Sequence, residues 1–104
     1  METRTTPRTI QLNTIKRRNA SAGLCYFEPA AMSFFSSRLH GIGLQVGDLT
    51  YFVTSERFIP TRGRPDRRRY TIRVQGADGS IETHGEFQAY DTLGEANEAR
   101  KALI

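Results

Sequence analysis

The stretch Leu49-Thr50-Tyr51-Phe52-Val53-Thr54 decides the fold that we expect for this chain. Its residues alternate and are mostly β-branched or aromatic, which is typical of a half-buried strand. Residues Tyr70–Gln75 alternate in the same way. The sequence Gly76-Ala77-Asp78-Gly79 then predicts a turn, and Ser80–Thr83 begins a returning strand. The centre of the chain is therefore predicted to form an antiparallel sheet.

Between these two strands lies a segment dense in arginine, offset only by Glu56 and Asp66. Guanidinium groups bind phosphates through paired hydrogen bonds and release the counterions of a nucleic acid, and aromatic rings stack on unpaired bases. We therefore predict a site that binds a partner or nucleic acid, made of Arg57, Arg62, Arg64, Arg67, Arg68, Arg69, Arg73, Tyr51, Phe58 and Tyr70. The alternative is a solvated hairpin loop whose charges keep a sheet edge from aggregating.

The flanking segments predict helices on this sheet. Pro29 suits the first turn of a helix, and an apolar stripe of Met32, Phe35 and Leu39 extends it to a glycine cap at residue 41. Thr92-Leu93-Gly94-Glu95 is a capping box for a second helix that reaches Ile104. Short strands are predicted at Leu24–Phe27 and Glu86–Tyr90. Together these elements predict an α+β fold: a small antiparallel sheet of three to four strands with two helices packed on one face.

Length and composition indicate a single domain. With 104 residues the chain can hold one core, which we place in residues 10–104, after a flexible tail at residues 1–9. The only cysteine, Cys25, rules out an internal disulfide and favours a reducing compartment. No apolar run approaches the roughly 20 residues that span a bilayer. We expect a cytoplasmic protein without a membrane partner.

The charges are unevenly distributed along the chain. Residues 1–73 carry 13 Lys and Arg against 5 Asp and Glu, whereas residues 74–98 carry six acids and no Lys or Arg. Unless the fold interleaves these parts, the molecule has a positive and a negative side. The positive side favours phosphate or an acidic partner, and the acidic side remains open as a second binding face.

No pattern of catalytic, cofactor-binding or metal-ligating residues stands out. His40 and His84 lack HxxxH or CxxC spacing, so we predict no metal and place His40 at the end of the first helix. Cys25 lies in an apolar run, where a buried thiol is usually inert. Neither GxGxxG nor GxxxxGK occurs, so we predict no cofactor. We expect a protein that is not an enzyme.

Four segments carry a resemblance to a known group of proteins: residues 32–38, 51–56, 69–73 and 85–88. With them the chain resembles, over roughly residues 12–100, small uncharacterised accessory proteins of phages and plasmids. The resemblance implies a non-enzymatic inhibitor similar to anti-CRISPR proteins, which binds a host protein or ribonucleoprotein complex in the host cytosol through its basic face. The Arg-rich residues 62–69 depart from that group. The alternative is direct nucleic-acid binding, as by a small regulator or single-strand binder.

Overall fold

The computed structural model describes residues 7–33, 37–58 and 67–103. In chain order its elements are β1 (Arg8–Ile10), α1 (Leu12–Ser21), α2 (Pro29–Ser33), β2 (Arg38–Val46), β3 (Leu49–Phe58), β4 (Arg67–Gln75), β5 (Ile81–His84) and α3 (Leu93–Ala102). The predicted α+β class is confirmed. The described residues form five strands, more than the three to four that we expected, because β1 and β2 lie where the sequence predicted a tail and a helix.

The sheet is antiparallel throughout, in the order β1-β2-β3-β4-β5. β3 and β4 form its centre and pair without interruption from Thr50↔Gln75 to Phe58↔Arg67. β2 shifts register between His40 and Leu44. Gly41 lies in that bulge with a φ of 68°, a backbone conformation that glycine adopts without steric cost.

Helices cover both faces of this sheet. Phe52 is fully buried and packs with Ile15 of α1. Val53 and Ile72 point to the opposite face, since successive side chains of a strand alternate. They are also buried, and α3 contacts both of their strands. The prediction that only one face is covered was therefore wrong, and we call the two sides the α1 face and the α3 face.

Buried polar contacts fasten α1 to the hairpin between β4 and β5. Asn19 donates from Nδ2 to the Gly79 carbonyl at 3.0 Å, and Gln75 donates from Nε2 to the Ile15 carbonyl at 2.9 Å. Gly79 has a φ of 85°, and a Cβ there would lie 2.6 Å from the Arg18 carbonyl oxygen. This approach of helix to turn therefore requires glycine.

The helix predicted over residues 29–39 was wrong in its second half. α2 ends at Ser33, and Leu39 lies in β2, where it pairs with Thr54 and packs against the Phe52 core. The apolar spacing did not distinguish a helix from a strand, because a strand also places Leu39 on a buried face and its neighbours Arg38 and His40 on the opposite face. Phe35, the middle of the proposed stripe, lies outside the described residues.

Three further expectations differ from the structure. Leu24–Phe27 is a turn with an exposed leucine, and Cys25 is exposed as well. Glu86–Tyr90 is a loop with a single bridge, Tyr70↔Tyr90, because its carbonyls and amides bond to side chains of β4 instead of a strand. β1 begins at Arg8, so the sheet starts within the stretch expected to be a tail.

The second predicted helix is confirmed as α3. The Thr92 hydroxyl accepts from the Glu95 amide at 3.1 Å, as the capping box requires. The Glu95 carboxylate accepts from the Asp91 amide at 3.3 Å, one residue before the position expected. No helix among the described residues is long and apolar enough to cross a membrane.

Candidate nucleic-acid interface

The end of the β3–β4 hairpin extends past its neighbouring strands. The last β2 partner is Arg38, opposite Ser55, and the last contact on the other side is the bridge to Tyr90. Beyond them, Glu56–Phe58 pairs with Arg67–Arg69 alone within the described sheet. We call these two segments the ribbon. Arg57, Arg67, Arg68 and Arg69 thus lie on paired strands, whereas the sequence placed them in a loop.

The ribbon divides its arginines between two faces, because adjacent side chains of a strand alternate. Arg69 lies on the α1 face and is neutralised there. Its Nη1 is 2.7 Å from a carboxylate oxygen of Asp91, and its Nε donates to the Gln88 carbonyl at 2.7 Å. The acidic second half of the chain therefore interleaves with the basic first half at this point, and Arg69 holds the loop before α3 on the sheet.

Arg73 lies on the same face, next to a buried carboxylate. The Glu56 side chain is fully buried, and its Oε1 is 2.8 Å from Arg73 Nη2. The Glu56 carboxylate also accepts from the hydroxyls of Thr54 and Thr71. A buried charge needs such partners to offset its lost hydration. Glu56 thereby makes Arg73 part of the interior.

Two aromatic rings enclose the Arg73 guanidinium. Its Cζ lies 5.9 Å from the ring centre of Tyr26 and 5.3 Å from that of Phe87. Burial raises the pKa of the Tyr26 hydroxyl, and the positive charge of Arg73 lowers it by a smaller amount. Only 12% of the Arg73 side chain is exposed. Since ion pair and rings cover this group, Arg73 holds the sheet together and presents little surface to a partner.

Two further arginines lie on the α3 face of the ribbon. Arg57 and Arg68 are directly opposite one another in register, and Arg38 lies across from Ser55 on the adjacent strand. Arg38 and Arg57 are exposed, whereas Arg68 is half-buried. Like charges directly opposite on a sheet are unfavourable for folding. Three guanidinium groups therefore share one part of the α3 face.

Ser55 holds this patch together. Arg68 donates from Nε to Ser55 Oγ and from Nη2 to the Ser55 carbonyl, both at 2.7 Å. His40 Nε2 lies 2.6 Å from the same hydroxyl, and its ring meets Tyr70 edge to face at 5.3 Å. We call Arg38, His40, Arg57 and Arg68 the cationic patch.

The charges of the patch act on one another. Burial lowers the pKa of His40, and the neighbouring Arg68 and Arg38 lower it further, against a smaller opposite effect of Glu56. Burial likewise lowers the pKa of Arg68, and Arg38 adds to that shift. A bound anion would relieve these repulsions.

The other predicted site residues are dispersed. On the α3 face, Tyr51 of β3 packs edge to face on His84 of β5, which lies two strands away from it. Phe58 and Arg67 pair in register at the end of the ribbon. Arg62 and Arg64 lie outside the described residues. The structure thus brings Arg57, Arg68 and Tyr70 together, and separates them from Arg69, Arg73 and Tyr51.

Sequence reasoning missed Arg38 and His40 because it assigned them to a helix and its end, and it missed Ser55 because the predicted strand ended at Thr54. The signal was present: Arg38 and His40 are spaced by two, like Ser55 and Arg57, as side chains on one face of a strand are. Within the described residues, no three His, Cys, Asp or Glu side chains lie close enough together to hold a metal ion.

Comparisons with known proteins identify the family but no activity. No curated protein and no solved structure is significantly similar to the chain. The model of a family of unknown function, DUF7447, matches residues 11–101, and the chain therefore belongs to that family.

Proposed function

We propose that this protein is a non-enzymatic binding protein that attaches to nucleic acid through the cationic patch and the ribbon that carries it. The observation that carries the proposal is the register pair Arg57↔Arg68, with Arg38 beside it on the α3 face. Guanidinium groups held next to one another favour a ligand with closely spaced negative charges, as a phosphodiester backbone has.

The shape of the ribbon supports this proposal. A two-stranded β-ribbon fits the major groove of duplex DNA, and a basic groove beside aromatic residues suits single strands. Tyr70 is half-buried next to the patch and lies two residues from Arg68 on the same face. The connection from 59 to 66 adds Arg62 and Arg64 to the sequence between the two strands.

We propose that some of the arginines bind nucleic acid and that others stabilise the fold. Arg69 and Arg73 are committed to Asp91 and Glu56, so their loss acts on the fold. Arg38 and Arg57 are exposed on the α3 face, so their loss acts on binding. A test of function should therefore change the second pair and spare the first.

Fluorescence anisotropy with labelled single-stranded DNA, duplex DNA and RNA tests the proposal, in salt from about 50 to 200 mM. We expect binding that weakens steeply with salt. In Arg38→Gln/Arg57→Gln the slope of log affinity against log salt falls by about 0.7 to 0.9 for each phosphate that the protein no longer neutralises. Lys16→Gln/Arg17→Gln is the matched control, since it also removes two positive charges and both residues are exposed on α1.

Two results would refute nucleic-acid binding through this patch. One is the absence of binding to all three probes at the lowest salt concentration. The other is an equal loss of affinity in the Lys16/Arg17 and Arg38/Arg57 double variants, which would indicate unspecific attraction by net charge.

A second candidate is an inhibitor of a nucleic-acid-handling complex, as the resemblance to phage and plasmid accessory proteins implies. The observation that favours it is exposed negative charge in the second half of the chain: Glu82 on β5 and Glu86 after it are both exposed. Such charges suit the basic groove of a protein. Affinity capture from a host lysate, with and without nuclease, separates the candidates. A protein retained after nuclease treatment and lost in Glu82→Lys/Glu86→Lys supports the inhibitor.

A further inference from the structure

The environment of His40 indicates how binding at the patch is regulated. The Ser55 side chain is fully buried, and its hydroxyl lies between His40 Nε2 and the Nε–H of Arg68. Because Arg68 donates to this oxygen, the hydroxyl proton can be directed to a neutral His40 Nε2. A protonated imidazole would instead donate to Ser55 Oγ, so that this oxygen would accept from two cations. Repulsion between cations that share one acceptor favours the neutral ring.

The charges around His40 act in the same direction. Arg38 lies two residues away on β2, and Arg68 approaches from β4. Glu56 on β3 opposes them but lies on the other face of the sheet, where Arg73 pairs with it. Tyr70 contributes a ring edge, and Arg100 of α3 donates to the carbonyl of Ile42, further along β2. Among the described residues that act on the imidazole, cations thus outnumber acids.

We propose that Arg38, His40 and Arg68 form a phosphate subsite in which His40 takes up a proton when a phosphodiester binds, so that affinity for nucleic acid increases as the pH falls. This inference rests on the proposed function and specifies its regulation. A phosphodiester carries one negative charge, which offsets the guanidinium field that keeps the ring neutral. The proton comes from solvent, and the ring then adds a third positive charge to the ligand.

Linkage sets the size of the effect. If binding raises the pKa of the imidazole by one unit, affinity at low pH exceeds affinity at high pH about tenfold. The affinity changes between the pKa of His40 in the free protein, which lies below the ordinary value of 6.5, and the pKa of His40 in the complex. Above both values affinity is independent of this group.

The experiment uses the full chain and a labelled single-stranded DNA at constant ionic strength, from about pH 8 to about pH 5.5. The wild type should gain severalfold in affinity toward low pH. His40→Gln keeps a polar group beside Ser55 but cannot be protonated, so its affinity should change much less with pH than that of the wild type. His84→Gln is the matched control and should retain the wild-type pH dependence.

Calorimetry of the wild type provides a measurement that does not depend on folding of a variant. Titration of the DNA near pH 6.5 in two buffers of different ionisation enthalpy should show proton uptake on binding. Zero uptake, or a pH dependence that persists unchanged in folded His40→Gln, overturns the inference and leaves the proposed function intact. Absence of binding at every pH refutes the proposed function itself.

Discussion

Replacement of Glu56 by glutamine is the most direct test of how this sheet is held together. Glutamine has the shape of glutamate and can still bond to the hydroxyls of Thr54 and Thr71, which both donate and accept. What it removes is the negative charge 2.8 Å from Arg73. The guanidinium would then stay in the interior without a carboxylate.

The expected cost follows from the surroundings of Arg73. Removal of one partner of a buried ion pair lowers the free energy of unfolding by about 3–5 kcal/mol. The rings of Tyr26 and Phe87 remain near the guanidinium and retain about 0.5–1 kcal/mol each. We therefore expect Glu56→Gln to lower the free energy of unfolding by about 3 kcal/mol, a large part of the 5–15 kcal/mol typical of a domain.

Urea denaturation followed by circular dichroism measures this change, since the chain contains no tryptophan. With a slope of about 2 kcal/mol per molar, the midpoint should fall by about 1.5 M. Arg73→Met should destabilise similarly, because it leaves the carboxylate unpaired. The double variant should be destabilised by about 2 kcal/mol less than the sum of the single changes, since it removes both charges.

The reasoning is refuted if the single changes add within about 0.5 kcal/mol, because independent sites behave in that way. A loss below about 1 kcal/mol in Glu56→Gln would also contradict it. That result would mean that the cost of desolvating the pair cancels its attraction.

Three further expectations concern α1, its turn and the cationic patch. Asn19→Ala removes two bonds at a buried side chain and should cost about 1–3 kcal/mol in urea denaturation. Gly79→Ala should destabilise the fold more than Gly47→Ala. Both glycines have positive φ, but only at Gly79 would the new Cβ meet a backbone oxygen, that of Arg18. Equal losses of stability in the two variants would contradict the close approach of α1 to the turn. The pKa of His40 is lower in the folded protein than in the unfolded chain, so protonation favours unfolding. Thermal stability should therefore fall as the pH drops below about 6.5, and it should fall less in His40→Gln. The same pH profile of stability in both proteins would contradict this.

The central strands and α3 could be predicted from local sequence because their signals are local. Alternation marks β3 and β4, and the hydroxyl of Thr92 caps the helix that follows. The extent of the strands could not be predicted in the same way. Arg57 and Arg67–Arg69 have no strong preference for strands, and their pairing depends on the register set by the hairpin as a whole.

β2 was missed for a different reason. Gly41 and Gly43 suggested the end of a helix, but they have separate roles in a strand. Gly41 accommodates the bulge, and a Cβ at Gly43 would lie 2.7 Å from Cδ1 of Ile15. Since that contact joins residues far apart in sequence, no local pattern predicts it. The cationic patch shares this origin, because Arg38 and His40 reach it only through β2.

The attachment of Gln88 joins the ribbon to α3. Gln88 has a φ of 56°, unusual for a residue with a side chain, and bonds to Thr71, Arg69 and the Arg57 carbonyl. Three residues later Asp91 pairs with Arg69, directly before the helix cap. The ribbon is thus attached to the loop that precedes α3. A displacement of its described end would therefore be transmitted through Gln88 and Asp91 to the first turn of that helix.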